Sequence, residues 1–143
     1  VNSYILCIDE IQFLDNNIEK LANLSQEFSV VSIVTNQPQI AMNKLSLQEL
    51  EVINNYIIHY CRAKSLFIDT VSWCPHHPHK GYDSENKILK TDCFCRKPKP
   101  GMLLQLAYER NIDLSSSLFV GDSIVDENAA KSAGCDFKNV RNL

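Results

Sequence analysis

Two pairs of metal-ligand side chains flank one polar stretch of this chain: Cys74-Pro-His76 before it and Cys93-Phe-Cys95 after it. Three thiolates and an imidazole make a full tetrahedral donor set for zinc, with no position left open for water or substrate, and a closed site of that kind is structural. His77 and His79 compete with His76 for the ligand role, and spacing alone does not choose among them. The stretch from 74 to 95 contains Pro, Gly and many polar residues and is too long for a routine connection. Metal binding would supply folding free energy that such a loop cannot gain by burial.

Arg96 and Lys97 come directly after the second pair. Held by a metal-pinned loop, they would suit phosphate, Arg bidentately and Lys as a compact point charge. In "VTNQ", Thr35 and Asn36 fall at the end of an apolar run, where a hydroxyl and an amide can bind an oxyanion or cap a turn. In "FVGDSIVDENAA", Asp122 lies just past another apolar run and Asp126 four residues on, at a helix start. Two carboxylates so placed can hold a hard cation such as Mg2+, although Asp126 can equally serve as the helix N-cap.

The elements that must position these residues alternate in type. "VVSIV" (30–34), "SLFIDTVSW" (65–73) and "SLFV" (117–120) read as strands. Between them, 15–28 carries Ile18, Leu21 and Phe28 near helical spacing, and "SLQE" from Ser46 has the form of a capping box before Leu50, Ile53, Ile57 and Tyr60. A third helix begins near Pro100 and turns Met102, Leu103, Leu106 and Ala107 inward; a fourth, 126–133, ends at Gly134, a natural left-handed cap. Strands alternating with helices predict a doubly wound, mostly parallel α/β sheet, with ligands outside the carboxyl ends of the strands.

Length and composition bound the rest. The chain has 143 residues, 45% of them hydrophobic, and a net charge of -3, which fits a single domain over 1–143. No Lys/Arg-dense stretch offers the basic face of a nucleic-acid binder, and no apolar run approaches the roughly 20 residues that cross a bilayer. Val1 to Ile8 lacks the form of a signal peptide, so a cytoplasmic protein is expected, with Cys7, Cys61 and Cys135 as plain thiols.

Taken in order, "TNQ", "CPHHP", "CFCRKPKPGM" and "VGDSIVDENAAKSAG" resemble the haloacid dehalogenase (HAD) superfamily of phosphatases, over about Tyr4 to Gly134. They are most similar to its zinc-containing branch acting on heptose bisphosphates and histidinol phosphate, and "RKPKPGM" looks more like the heptose side. The resemblance implies a Rossmann-like HAD fold with a zinc loop and no large cap domain. It implies phosphate binding by Thr35, a cationic role for Lys97, and Asp122 as a Mg2+ ligand with Asp126 behind it. Asn36, Arg96 and Lys97 would touch substrate, and Cys74, His76, Cys93 and Cys95 would hold zinc. The expected partner is a phosphorylated sugar acted on by a monomer, with neither nucleic acid nor membrane.

The family attacks with the first aspartate of a "DxDG" signature at the end of its first strand, forming an aspartyl phosphate that water hydrolyses. No DxDG occurs here. On one alignment "SYILCIDEIQFLDN" matches the segment after that motif, and the first strand lies upstream of Val1. On another, "YILCI" is the first strand and Asp9 the nucleophile, with Ile11 where the acid should be. Because the family's first strand separates those carrying Thr35 and Asp122, its loss would leave two open edges, to be filled by an upstream segment, by "YILCI" or by another chain. "TNQPQIAMN" also departs from the usual "TNQSGIARG": Gln39 replaces Gly, and Met42-Asn43 replaces Arg-Gly. A silent, zinc-stabilised binding domain is the competing expectation.

Overall fold

The computed structural model describes residues 4–79, 81 and 83–143; Val1 to Ser3, and Lys80 and Tyr82 of the expected zinc loop, lie outside the described residues. Among the described residues, four α-helices and four strands run in the order α1 (Asp15–Ser25), β1 (Ser32–Asn36), α2 (Leu47–Ala63), β2 (Thr70–Cys74), α3 (Gly101–Arg110), β3 (Leu118–Gly121), α4 (Ile124–Ala133) and β4 (Asp136–Asn139). Local chemistry sets most boundaries. Ser46 caps α2 through its hydroxyl on the Glu49 N–H while the Glu49 carboxylate takes the Ser46 N–H, the reciprocal box the sequence predicts. Gly134, at φ 79°, ends α4.

β1 pairs in parallel with β2, from Ser32 opposite Thr70 to Asn36 opposite Cys74. Adjacent residues on these strands pack on opposite faces. Val34 and Cys74 join Met102, Leu103 and Leu106 of α3 and Ala129 of α4, whereas Trp73 packs with Ile40, Leu45, Leu50 and Ile53. A third cluster, Ile18, Ala22, Cys61 and Leu66, ties α1 to the end of α2. Helices on both faces are what parallel pairing requires. β3 pairs in parallel with β4, which sequence pattern does not predict: "DFKN" lacks an apolar run and is defined by its neighbour. Among the described residues β1–β2 and β3–β4 form two separate two-stranded sheets.

The reading of "YILCI" as the strand between them is corrected by the structure. Tyr4 to Cys7 take no strand conformation and Ile8–Glu10 is a 3-10 turn. Ile5 and Ile11 instead pack beside Ile40, Leu50 and Ile53, the Ile5 carbonyl accepts from Gln39 Nε2 at 3.4 Å, and the Leu6 N–H is held by Glu10. These apolar side chains find a buried face against α2, and Asp9 is left exposed on the turn.

Leu50, 1% exposed, anchors the cluster that receives this segment. Leu50→Ala is expected to lower stability by about 2–5 kcal/mol in urea denaturation. A midpoint equal to that of the parent chain would show that the cluster holds nothing in place.

Candidate active site and metal cluster

Lys97 is the residue on which the site converges. Its Nζ donates to the Val34 carbonyl of β1 at 3.0 Å and to Asp126 Oδ1 of α4 at 2.6 Å, and lies 5.4 Å from the Phe119 ring centre on β3. Its backbone is clamped by Asn36, whose Oδ1 accepts from the Lys97 N–H at 3.0 Å and whose Nδ2 donates to the Lys97 carbonyl at 3.1 Å. Two strands, one helix and the loop after the second cysteine pair are thus joined through one residue. The amide of Asn36, expected to meet an oxyanion, is spent on holding the lysine.

Asp126 is buried and accepts, besides Lys97, the Ser123 hydroxyl at 2.8 Å and the Asp122 N–H at 3.3 Å. Burial raises its pKa, but the hydrogen bonds from Lys97 and Ser123 outweigh that effect and hold the carboxyl below the usual carboxylate range. The N-cap of α4 is Ser123, not Asp126. Gly121 permits the arrangement: a Cβ there would stand 2.5 Å from the Cβ of Asp126. Asp122 then emerges exposed, directly after β3.

Thr35 lies within β1, and its Oγ1 accepts from Gln37 Nε2 at 3.3 Å. Gln39 Nε2 in turn donates to Gln37 Oε1 at 2.8 Å, so two amides continue from the hydroxyl into the interior, where Gln39 is 4% exposed. Sequence reasoning assigns Gln37 and Gln39 no such task, because side-chain chains of this sort leave no periodic signal. The departures in this turn have physical accommodations. Asn43 adopts φ 56°, the left-handed region that glycine favours, and Met42 is buried.

The two cysteine pairs close on one point. Cys74 Sγ lies 3.0 Å from Cys95 Sγ and 3.4 Å from Cys93 Sγ, and Cys93 and Cys95 are 3.2 Å apart. His76 Nδ1 stands 3.2 Å from Cys95 Sγ and 3.5 Å from Cys74 Sγ, and all four donor atoms fall within 4.8 Å of one another. Zn–S bonds of about 2.3 Å would space tetrahedral sulfurs about 3.8 Å apart, so the cluster needs to open by only about half an ångström around an ion. His76 is the histidine in the cluster; His77 is buried with its ring centre 5.3 Å from that of His79. Burial and the neighbouring sulfurs push the Cys95 thiol far up and burial raises that of Cys74. At Cys93 burial also raises the pKa, but donors from Cys95, Cys74 and the Arg96 N–H bring it below its usual value. Three thiols this close ionise together only around a cation.

The cluster also fixes the residues next to it. Arg96 N–H donates to Cys93 Sγ at 3.3 Å, and its Nη1 donates to the His76 carbonyl at 3.2 Å, tying the two halves of the loop. Gly101 closes the turn on the Phe94 carbonyl at 3.1 Å, where a Cβ would meet that oxygen at 2.4 Å.

Residues 85–140 match the family described as haloacid dehalogenase-like hydrolase. A relative from Pasteurella multocida, the D-glycero-beta-D-manno-heptose-1,7-bisphosphate 7-phosphatase, is 37% identical over 92% of this chain and 69% of its own length. The chain belongs to the haloacid dehalogenase-like hydrolase family. A Pseudomonas aeruginosa relative of the same name is 36% identical over 94% of the chain and 69% of its own length. Among solved structures of this family, the D,D-heptose 1,7-bisphosphate phosphatase from B. bronchiseptica, complexed with magnesium and phosphate, superposes with a TM-score of 0.78 at 29% identity, covering 96% of this chain and 70% of that one. The HAD architecture expected from the sequence, parallel and with no cap domain evident, therefore holds. This HAD domain is that of a phosphoric monoester hydrolase family.

Two outcomes test the geometry. Asp126→Asn leaves the buried Lys97 ammonium without its counter-charge and is expected to cost about 3 kcal/mol or more in denaturant melts; a loss within error would mean the pair is not closed in solution. The chain purified without chelators is expected to carry about one zinc by elemental analysis, and Cys95→Ser to lose most of it. Retention of full zinc by Cys95→Ser would reassign the donors.

Proposed function

We propose that this chain provides the phosphate-binding and metal-binding part of a Mg2+-dependent phosphatase that removes one phosphate from a heptose bisphosphate of the D-glycero-D-manno type. The observation that carries this reading is the seating of Lys97, joined to the Val34 carbonyl, the Asn36 amide and Asp126, between the strands that deliver Thr35 and Asp122. In this proposal Thr35 Oγ1 and Lys97 Nζ take phosphoryl oxygens, with Gln37 orienting the hydroxyl. Asp122, exposed beside them, would hold Mg2+, which when bound neutralises phosphoryl charge. Asp126 keeps Lys97 and the Asp122 backbone in place. Arg96 reaches the sugar phosphate from the edge of a loop held by zinc on Cys74, His76, Cys93 and Cys95. Asn36, read as a substrate contact from sequence, acts by fixing the Lys97 backbone.

For turnover by the family's two-step route, the attacking aspartate has to come from outside residues 1–143, since Asp9 stands on an exposed turn against α2. A phosphorylated sugar is the partner class that fits the relatives. We further read the chain as one domain acting as a cytoplasmic monomer without nucleic acid, given its net charge of -3. Among the described residues no helix is long and apolar enough to cross a membrane.

A second reading, a silent zinc-stabilised domain that binds a sugar phosphate, draws on the missing aspartate pair and on buried Met42 at the place of an arginine. The deciding assay expresses the longest open reading frame that contains these residues. With Mg2+, it is expected to release phosphate from D-glycero-D-manno-heptose 1,7-bisphosphate in preference to histidinol phosphate, and Lys97→Ala to lower kcat by roughly 10²–10³. No release from any sugar phosphate would leave the binding reading standing; preference for histidinol phosphate would move the chain to that substrate.

A further inference from the structure

A hydroxyl donates one hydrogen bond and accepts two, so a threonine beside a phosphoryl group attracts it only when its proton points at a phosphoryl oxygen. The direction of the Thr35 proton is decided by the amides behind it. Thr35 Oγ1 lies 3.3 Å from Gln37 Nε2, Gln37 Oε1 lies 2.8 Å from Gln39 Nε2, and Gln39 Nε2 lies 3.4 Å from the Ile5 carbonyl. A carbonyl accepts and never donates, so the Ile5 oxygen selects the NH2 end of Gln39. The same NH2 group then meets the oxygen of Gln37, which turns the NH2 end of Gln37 to Thr35. Hydrogen bonds therefore run outward with one polarity, and the next donor in the row is the Thr35 hydroxyl itself. Among the described residues that hydroxyl receives a hydrogen bond and has no acceptor of its own.

Burial closes off the reverse polarity. The Oε1 of Gln39 is buried and has no partner among the described residues. Turning the amide over would satisfy nothing: its oxygen would face the Ile5 carbonyl, acceptor against acceptor, and its NH2 would take the place where no acceptor stands. The backbone beneath is equally fixed. The Gln37 N–H donates to the Cys74 carbonyl at 2.7 Å, the Gln39 carbonyl accepts from the Lys44 N–H at 2.9 Å, and the Ala41 carbonyl accepts from the Asn86 N–H at 2.7 Å. Gln37 is only half-buried, and with nothing behind it either end of its amide could meet a hydroxyl.

Resting on the reading of Thr35 as a phosphate ligand, we propose that Gln39 is a positioning residue for that site: through Gln37 it holds the Thr35 hydroxyl as a donor to a phosphoryl oxygen. Without Gln39, Gln37 is free to present its carbonyl oxygen, take the Thr35 proton and leave lone pairs facing an anion. Gln39 is buried and touches no substrate; it acts on the anion through the amide and the hydroxyl in front of it. The hydroxyl works beside the Lys97 ammonium, which sits on the carbonyl of Val34, one residue before Thr35. Loss of its direction therefore weakens anion binding and does not abolish it.

The test uses the protein of the longest open reading frame that contains these residues, with Mg2+, and inorganic phosphate as the probe in isothermal titration calorimetry. Gln39→Met keeps the length of the side chain and removes its donors; it is expected to weaken phosphate binding by roughly three- to tenfold. Thr35→Val is expected to weaken it by roughly tenfold or more. In the Thr35→Val background, Gln39→Met should add less than about twofold, because its effect passes through a hydroxyl that is gone. A glutamine that only supports the fold would give the same factor in both backgrounds, and that additivity overturns the proposal. So does parental affinity in folded Gln39→Met. Should Gln39→Met fail to fold, Gln37→Met, at a half-buried position, carries the same cycle with Thr35→Val and the same overturning outcomes. Phosphate binding left intact by Thr35→Val sinks the phosphate reading of Thr35 and this inference with it. Binding weakened in Thr35→Val and intact in Gln39→Met sinks this inference alone.

Discussion

An ammonium ion withdrawn from water is tolerated only when its charge and its hydrogen-bond donors are met by fixed groups, and Lys97, with a side chain 13% exposed, imposes that demand on everything around it. Asp126 answers the charge at 2.6 Å and the Val34 carbonyl answers a second donor. Each partner then needs support of its own. Asp126 can stand there because Gly121 lacks a Cβ and because Ser123 and the Asp122 N–H fill its second oxygen. The lysine backbone can stand there because Asn36 clamps it from the end of β1. The geometry around Lys97 is thus set by one ion pair, largely withdrawn from water, linking β1, the loop after Cys95 and α4.

That loop could not meet the demand by packing. From Pro75 to Asp92 it is mostly polar, with few buried side chains, so little hydrophobic free energy opposes its conformational entropy. Three sulfurs with unequal proton affinities provide the alternative: the groups are crowded until a cation is shared among them. The distance from the cluster to Lys97 is two residues, and Arg96 between them is tied at both its N–H and its guanidinium. Rigidity gained at the metal is therefore passed on without a flexible joint. A closed set of four ligands beside Lys97 can thus stiffen the loop without itself taking part in chemistry there.

Much of this is legible in the sequence where the cause is local. The capping box at Ser46, the glycine stop at Gly134 and the two Cys-containing pairs all depend on residues within a few positions of one another. The features that sequence leaves open depend on residues brought together from a distance. Three neighbouring histidines have the same ligand chemistry, and only the path of the loop selects His76. Lys97 and Asp126 are 29 residues apart, and no periodicity announces that they meet. Asn36 has the composition of an oxyanion ligand, yet its amide geometry matches a peptide group, and the lysine backbone takes both of its atoms. β4 is hidden for the same reason, since "DFKN" becomes a strand through its ladder with β3 rather than through its own side chains.

The run "YILCI" shows how such a contest is decided. Its apolar residues favour a strand, and among the described residues β1 and β3 each have an edge without a partner strand. It does not go there, because the segment leads within a few residues into α1 and its isoleucines already have a buried seat beside Leu50 and Ile53. Moving it to either edge would exchange one apolar contact for another while emptying the first, so burial alone gives no net drive. Backbone pairing would favour an edge, but the Leu6 N–H is already satisfied by Glu10 and the Ile5 carbonyl by Gln39.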